Sequence, residues 1–344
     1  MAQRRKRLDA QVMVITGASS GIGLATARLA ASRGARVVLA ARSETDLQSI
    51  RDEIRRDGRQ VLAVATDVAD PEAVDRLGAR AVDAFGRIDT WVNNAGVSLY
   101  GRLTDVPLED ERRLFDTNYW GVVHGCRTAV TRMRFNGGVL INIGSIVSDR
   151  AVPLQGAYSA SKHAVKAYTD ALRMELEHDG VPIAVTLVKP AAIDTPYFEH
   201  ARNYMAEEPA PPPPVYAPET VARAICACAE RPVRSITVGG GGRLIAAMGI
   251  LAPRLSDVYM EKTMFSQQRS DRPNDARDGL HASGDGGRES GRYEGYVMQS
   301  SAYTRAMLSD VGRALPLIAL GAAVAAGVSR VRGREGHRAE FPPS

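Results

Sequence analysis

The sequence predicts a Rossmann-type α/β protein, a doubly wound parallel sheet of about seven strands with a C-terminal extension. Two observations carry this. From Val12 to about Gly240, short β-branched runs alternate with helical segments, and the runs read as apolar throughout rather than as one-sided. The first run also leads into the small-residue turn TGASSGIG, Thr16 to Gly23, and then into a helix, the arrangement by which such sheets bind nucleotides at the carboxyl ends of their strands.

Expected strands are Val12 to Thr16, Ala35 to Ala41, Val61 to Ala65, Ile88 to Asn93, Gly138 to Gly144, Ile183 to Lys189 and Ser235 to Gly239. Helices are expected around 21–33, 44–57, 71–85, 108–134, 157–178 and 218–230. Glu207 to Pro218, with four consecutive prolines, reads as a loop without regular structure, placed to overhang a ligand site.

The domain plan is a basic tail at 1–10, a dinucleotide-binding catalytic domain at 11–245, a helical extension at 246–269 and a flexible linker at 270–301. The linker is expected from its abundance of Gly, Asp, Arg and Ser. An apolar tail follows at 302–332, then a disordered terminus at 333–344. Within the tail, Arg313 and Arg330 bracket sixteen uncharged residues. As a helix these would span about 24 Å against roughly 30 Å of hydrocarbon. Membrane contact through 314–329 and packing on the protein or a partner are both open.

The net charge is +5, but the 44 basic residues are scattered among 39 acidic ones, which speaks against nucleic acid. Arg4 to Arg7 reads as a frayed end. Cys126, Cys226 and Cys228 have neither metal-ligand spacing nor a disulfide framework, so no metal is expected and a reducing compartment is. No apolar signal region precedes Val12, and a cytoplasmic location is expected.

In the turn, Gly17, Gly21 and Gly23 let the backbone approach a pyrophosphate. The spacing is GxxxGxG and lacks the Lys-Ser/Thr of a phosphate-transfer loop. After the second strand, where an acid would hold ribose hydroxyls, stands Arg42. It can pair with a 2′-phosphate, which favours NADP(H) over NAD(H); the plainer alternative is a solvated loop residue. Asp67 suits the adenine amino group, or else caps the helix at Pro71.

With Asn93-Asn94-Ala95-Gly96 ending the fourth strand, Asn118 in a long helix, Ser145 after the fifth strand and Tyr158-x-x-x-Lys162, the chain resembles the short-chain dehydrogenase/reductase family over roughly residues 10–245. The resemblance implies a nicotinamide cofactor and catalysis by Asn118, Ser145, Tyr158 and Lys162. It implies cofactor contacts from Gly17, Ser19, Ser20, Gly21, Ile22, Gly23, Arg42, Asp67, Val68, Asn94, Ala95, Gly96, Tyr158, Lys162, Pro190, Ile193 and Thr195. Asn118 would hold a water linking Lys162 to solvent. Ser145 and Asn118 also have plainer readings, as a helix cap and as a partner for a backbone carbonyl. The 108–134 and 157–178 helices resemble those that form four-helix interfaces in homodimers and homotetramers of the family.

Physical chemistry explains the Tyr158 and Lys162 pair. Four residues apart on a helix they share a face, and an ammonium beside a phenol favours its anion. Lowering the phenol from about 10 to about 7 takes roughly 4 kcal/mol, which the ammonium can supply in a partly dry site together with an oxidised nicotinamide ring. Tyr158 would then exchange a proton with the substrate oxygen, and Ser145 would hydrogen-bond that same oxygen. The sequence departs from the family after the sixth strand, where Ala191 replaces the usual Gly.

The expected pocket residues are Val97, Ser98, Tyr100, Val147, Val152, Pro153, Gln155 and the loop Tyr197 to Val215. They are mostly apolar and point to a small apolar ketone, aldehyde or secondary alcohol. The competing function is a non-catalytic NADP(H)-binding sensor or membrane-tethered scaffold. A sugar-nucleotide epimerase or dehydratase of the extended branch is disfavoured by the glycine spacing.

Overall fold

In the computed structural model, which describes residues 6–241, 248–249 and 251–309, the β-branched runs pair into one sheet. The strands are β1 (Val12–Thr16), β2 (Arg36–Ala41), β3 (Val61–Ala65), β4 (Thr90–Asn93), β5 (Gly138–Ile143), β6 (Ile183–Pro190) and β7 (Ser235–Val238). Their order is β3-β2-β1-β4-β5-β6-β7 and every pairing is parallel. Val14 lies beside Val38 on one neighbour and Trp91 on the other. The order reverses between β1 and β4, which opens a crevice at the carboxyl ends of the strands.

Helices α1 (Gly21–Ser32), α2 (Glu44–Arg56), α3 (Pro71–Phe85), α4 (Leu108–Phe115), α5 (Gly121–Met133), α6 (Gly156–His178) and α7 (Pro218–Glu230) accompany these strands. Their ends follow sequence chemistry. Ser43 caps α2 by accepting from the Asp46 N–H, and Asp70 caps α3 ahead of Pro71. Asp67 is therefore not the α3 cap.

The helix expected at 108–134 is interrupted by a π-helical turn, Asp116–Trp120. That turn carries Asn118, which faces inward to bind both peptide groups of Val97: it accepts from the N–H at 2.8 Å and donates to the C=O at 3.0 Å.

Beneath the crevice, Trp91 Nε1 donates to Asn93 Oδ1, Asn93 to Asn142 Oδ1 and Asn142 to Thr169 Oγ1. All four residues are buried and these polar groups are partnered, so the bonds offset the cost of desolvation and the chain of bonds fixes β4, β5 and α6 in one register.

The chain divides into two compact units, 1–301 and 302–344. Of the second, the described residues form helix Ala302–Leu308 and a following residue. The apolar stretch 314–329 lies outside the described residues, as do Arg4 and Arg5. Among the described residues no helix is long and apolar enough to cross a membrane.

Two expectations drawn from composition do not hold. Glu207–Pro209 pairs antiparallel with Arg269–Pro273, and Val215–Tyr216 lies between Ala192–Ile193 and Val297–Met298, so both ends of the proline loop are regular. The expected linker 270–301 is packed rather than loose. Between helix α8 (Pro253–Gln267) and Val297 it crosses the molecule as a strap. Leu280 is fully buried against Leu99, Val106 and Leu114. Arg272 pairs with Glu208 and Arg288 with Glu199, and the Gly279 N–H donates to the His200 carbonyl.

A segment with few apolar residues can order when its backbone groups and charges all find partners, which composition does not reveal. Leu280→Ala tests this directly. Urea unfolding should show a loss of about 2–5 kcal/mol, whereas a flexible linker would show none.

Candidate active site

The crevice is a cavity of about 310 Å³, and each strand delivers one part of it. From β1 comes the glycine turn. Gly17 takes φ 64°, and a Cβ there would lie 2.7 Å from the Ala95 Cα; a Cβ on Gly23 would lie 2.1 Å from the Gly17 carbonyl oxygen. Both contacts are with backbone and cannot relax, so these two positions tolerate only glycine. Gly17, Ser19, Ser20, Gly21 and Ile22 line the cavity. Gly23 does not line it; its part is to let α1 approach the turn.

From β2 and β3 come Arg42, Asp67 and Val68, all at the cavity wall. The Arg42 guanidinium is engaged by the strap and donates to the carbonyls of Gly279, Leu280 and Ala282 at 2.6, 3.2 and 2.5 Å. It is thus not a solvated loop residue. Asp67 pairs with Arg113 at 2.7 Å. Burial opposes its ionisation, but the Ala69 N–H and Arg113 hold the carboxyl below its usual range.

The strap also touches the glycine turn. Gly21 donates to the Arg288 carbonyl at 2.9 Å, and Ser19 accepts from the Gly287 N–H at 2.8 Å. Gly279, Ser283 and Gly284 complete the wall at this end. Sequence reasoning missed them, together with Tyr259, Met260, Met264 and Gln268 from α8 and the residue after it. The glycine spacing of the strap was the available signal: a Cβ on Gly284 would strike the His200 ring at 2.6 Å and one on Gly286 the Asp46 carboxyl at 2.5 Å.

From β4 come Asn94, Ala95 and Gly96, all lining the cavity. The Asn94 side chain donates to the carbonyls of Thr16 and Gly17 at 2.9 and 3.1 Å, locking the β4 turn to the glycine turn. From β6 come Pro190, Ile193 and Thr195. Ala191 sits where the family carries glycine, and its methyl group faces Gly239, just after β7. A Cβ on Gly239 would lie 2.7 Å from it. The space that one chain segment gains is given up by its neighbour.

The expected catalytic residues meet at the carboxyl end of β5. Ser145 caps a short 3₁₀ turn at 146–148; its hydroxyl accepts from the Val147 N–H, and its own N–H donates to the Ser148 hydroxyl. Ser145 is thus a helix cap that also lines the cavity. Tyr158 and Lys162 stand on successive turns of α6 with the Lys162 Nζ 5.7 Å from the Tyr158 ring centre. Lys162 is 4% exposed and donates to the Ile143 carbonyl at 3.0 Å. Asn118 is behind the wall, its amide committed to Val97 and Ser161.

Burial pushes the Tyr158 phenol up, and the nearby hydroxyls of Tyr197 and Ser145 only partly offset it. Lys162 does not overcome the burial because it is itself desolvated and falls to about 8. Behind Ser145, Asp149 accepts from both Lys166 and Lys189. Burial alone would raise this carboxyl, and the two ammonium groups hold it below the usual range.

Of the expected substrate contacts, Val97, Ser98, Tyr100, Val147, Val152, Gln155, Tyr197, Phe198 and Pro212 to Pro214 line the cavity. Pro153 does not; its carbonyl accepts from Gln268.

Comparison with known proteins agrees. The family model of the short chain dehydrogenases matches residues 11–205. The oxidoreductase YxnA of Bacillus subtilis, itself uncharacterized, is 46% identical over 306 residues, 88% of this chain and 86% of that protein. An alignment of that length cannot fit between residues 1 and 245, so the relative shares much of the extension.

A short-chain dehydrogenase/reductase from Burkholderia phymatum in complex with NAD superimposes with a TM-score of 0.62 at 29% identity, covering 77% of this chain and 98% of that one. An alcohol dehydrogenase from Thermococcus sibiricus complexed with 5-hydroxy-NADP gives 0.59 at 27% identity, over 66% and 95%. The chain belongs to the short-chain dehydrogenase family. It is an oxidoreductase acting with a nicotinamide cofactor on CH–OH or C=O groups.

The buried ammonium has a measurable signature. The Lys162 value is lowered on folding, so between about 8 and its ordinary 10.5 the unfolded chain binds more protons and wild-type stability rises with pH. Below that window the full burial cost is present. Lys162→Met should therefore be more stable than wild type at pH 7, by about 1–3 kcal/mol. The gap in Tm should close as pH climbs from 8 to 10.5, and a constant gap would show that the lysine is not desolvated.

Proposed function

We propose that the protein is an NADP(H)-dependent oxidoreductase that reduces a small apolar ketone or aldehyde, or oxidises the matching secondary alcohol, with Tyr158 as the acid/base group. One observation carries this reading: Ser145, Tyr158 and Lys162 converge on the apolar end of a cavity whose other end is the glycine cradle. The cradle fits a dinucleotide, since the small residues Gly17, Ser19, Ser20 and Gly21 line the cavity at the N-terminus of α1. When bound there, the cofactor supplies the hydride and, oxidised, a positive charge near the phenol.

The chain's own residues would do the rest. Ser145 orients the substrate oxygen, Tyr158 gives it a proton in reduction, and Lys162 holds ribose hydroxyls and restores the field on the phenol. A buried phenol that keeps its proton suits the reducing direction. Asn118 supports the site by fixing Val97 rather than by touching the reacting atoms. Tyr158→Phe should lower kcat by about 10²–10⁴-fold in an NADPH-absorbance assay with hydrophobic ketones, while NADPH binding persists. Retained turnover in the variant would remove Tyr158 as the acid/base group, and no NADPH consumption by the wild type with any ketone would favour a cofactor-binding sensor or scaffold.

Preference for NADP(H) rests on Arg42 and on the absence of a carboxylate directly after β2. A 2′-phosphate would take the guanidinium in exchange for strap carbonyls. Arg42→Ala should then reduce kcat/KM with NADPH about 10–100-fold more than with NADH. An equal loss with both would leave Arg42 as an anchor of the strap.

The three buried cysteines, none of them in a disulfide, suit a cytoplasmic enzyme. We further propose a homodimer or homotetramer through α4 to α6, where Trp120 and Met174 are 48% and 58% exposed. Membrane contact through residues 314–329 stays a proposal from sequence alone.

A further inference from the structure

Close to Tyr158 the cavity wall carries three hydroxyls that the reaction described above does not use: those of Ser98, Tyr100 and Tyr197. Ser98 is 2% and Tyr100 0% exposed. In all three the hydroxyl oxygen is buried and without a hydrogen-bond partner. All three residues line the cavity. The Tyr197 ring lies 5.7 Å from that of Tyr158, centre to centre. Tyr100 approaches Ser98 and Gln155, and Tyr197 approaches Ser98 and Tyr158, without bonding geometry to any of them.

Leaving polar groups dry and unpaired is unfavourable, and folded proteins avoid it except where a ligand completes the set. An apolar carbonyl compound would use Ser145 and Tyr158 and leave these three unsatisfied.

Resting on the reductase reading above, we propose that Ser98 and Tyr100, with Tyr197, form a second recognition site for a neutral oxygen of the substrate. The substrate class is then a ketone or aldehyde with an additional hydroxyl or carbonyl oxygen near the reacting carbon, with an otherwise apolar chain.

The oxygen is neutral for two reasons. Burial keeps both phenols protonated, well above their ordinary value, so they offer O–H donors. The cations at the cavity wall are also engaged: Arg42 by strap carbonyls, Arg150 by Asp257 and Lys162 by the Ile143 carbonyl. The apolar remainder would meet Val147, Val152, Phe198, Met260 and Met264.

The test compares 2-heptanone with 2,3-heptanedione and 2,4-heptanedione as oxidants of NADPH, in wild type, Tyr100→Phe and Ser98→Ala. The greater intrinsic reactivity of the diketones is common to all three proteins and cancels in the comparison. The wild-type ratio of kcat/KM for the better diketone to that for 2-heptanone should fall at least about 10-fold in Tyr100→Phe, because a site built to bond an oxygen loses its discrimination with the bond. An unchanged ratio overturns the proposal.

Thermal unfolding gives a second readout that needs no substrate. Tyr100→Phe removes a dry, unpaired hydroxyl at nearly constant volume and should raise the Tm of the ligand-free protein by about 2 °C or more. A Tm that falls or does not move would mean that the hydroxyl has a structural partner, and would overturn the proposal. If all three ketones are inert, the reductase reading suffers, and the Tm still decides the fate of the second site.

Discussion

The site depends on holding an ammonium group out of water at the carboxyl end of β5. Lys162 is almost fully buried and bonds to the carbonyl of Ile143, so the charge is tolerable only because α6 is held against β5 from both sides. On one side Asn142 ties Thr169 of α6 to the sheet. On the other, Arg173 donates to the Val185 carbonyl of β6. A helix free to shift by an ångström would let water reach the ammonium, and its field on Tyr158 would be screened. The polar core beneath the crevice is thus part of the active site although none of it touches the cavity.

The same burial acts on the phenol in the opposite sense from that expected of a tyrosine beside a lysine. Two desolvated groups compete: the lysine loses part of its hold on its proton and the phenol gains. Both changes favour uncharged forms, so the two groups make no ion pair between themselves.

Much of this was legible in the amino-acid sequence. Apolar runs and glycine spacing located the strands and the cradle because each reflects a local requirement: burial on two faces, or a backbone that must approach backbone. Tyr158 and Lys162 were legible for the same reason, being one helical turn apart. What escaped were features satisfied over long sequence distances. The π turn around Asn118 answers to the peptide of Val97, some twenty residues earlier. Ala191 looked like a defect, yet its methyl group faces Gly239, just after β7, which has no side chain to compete for the space.

The strap is the largest of these, and composition misjudged it for a definable reason. Low apolar content argues for disorder when burial is the only source of order, yet here the anchors are carbonyls, backbone N–H groups and ion pairs. Arg42, Ser19 and Gly21 all belong to the cofactor cradle, and all three spend hydrogen bonds on residues 279–288. Cradle and strap therefore form one bonded unit, joined further by Arg28 and Glu289 at 2.6 Å. A chain that ended with β7 would expose the ribose end of the crevice to water. Because the extension closes that end with its own backbone, the shape of the glycine turn depends on residues more than two hundred positions removed from it.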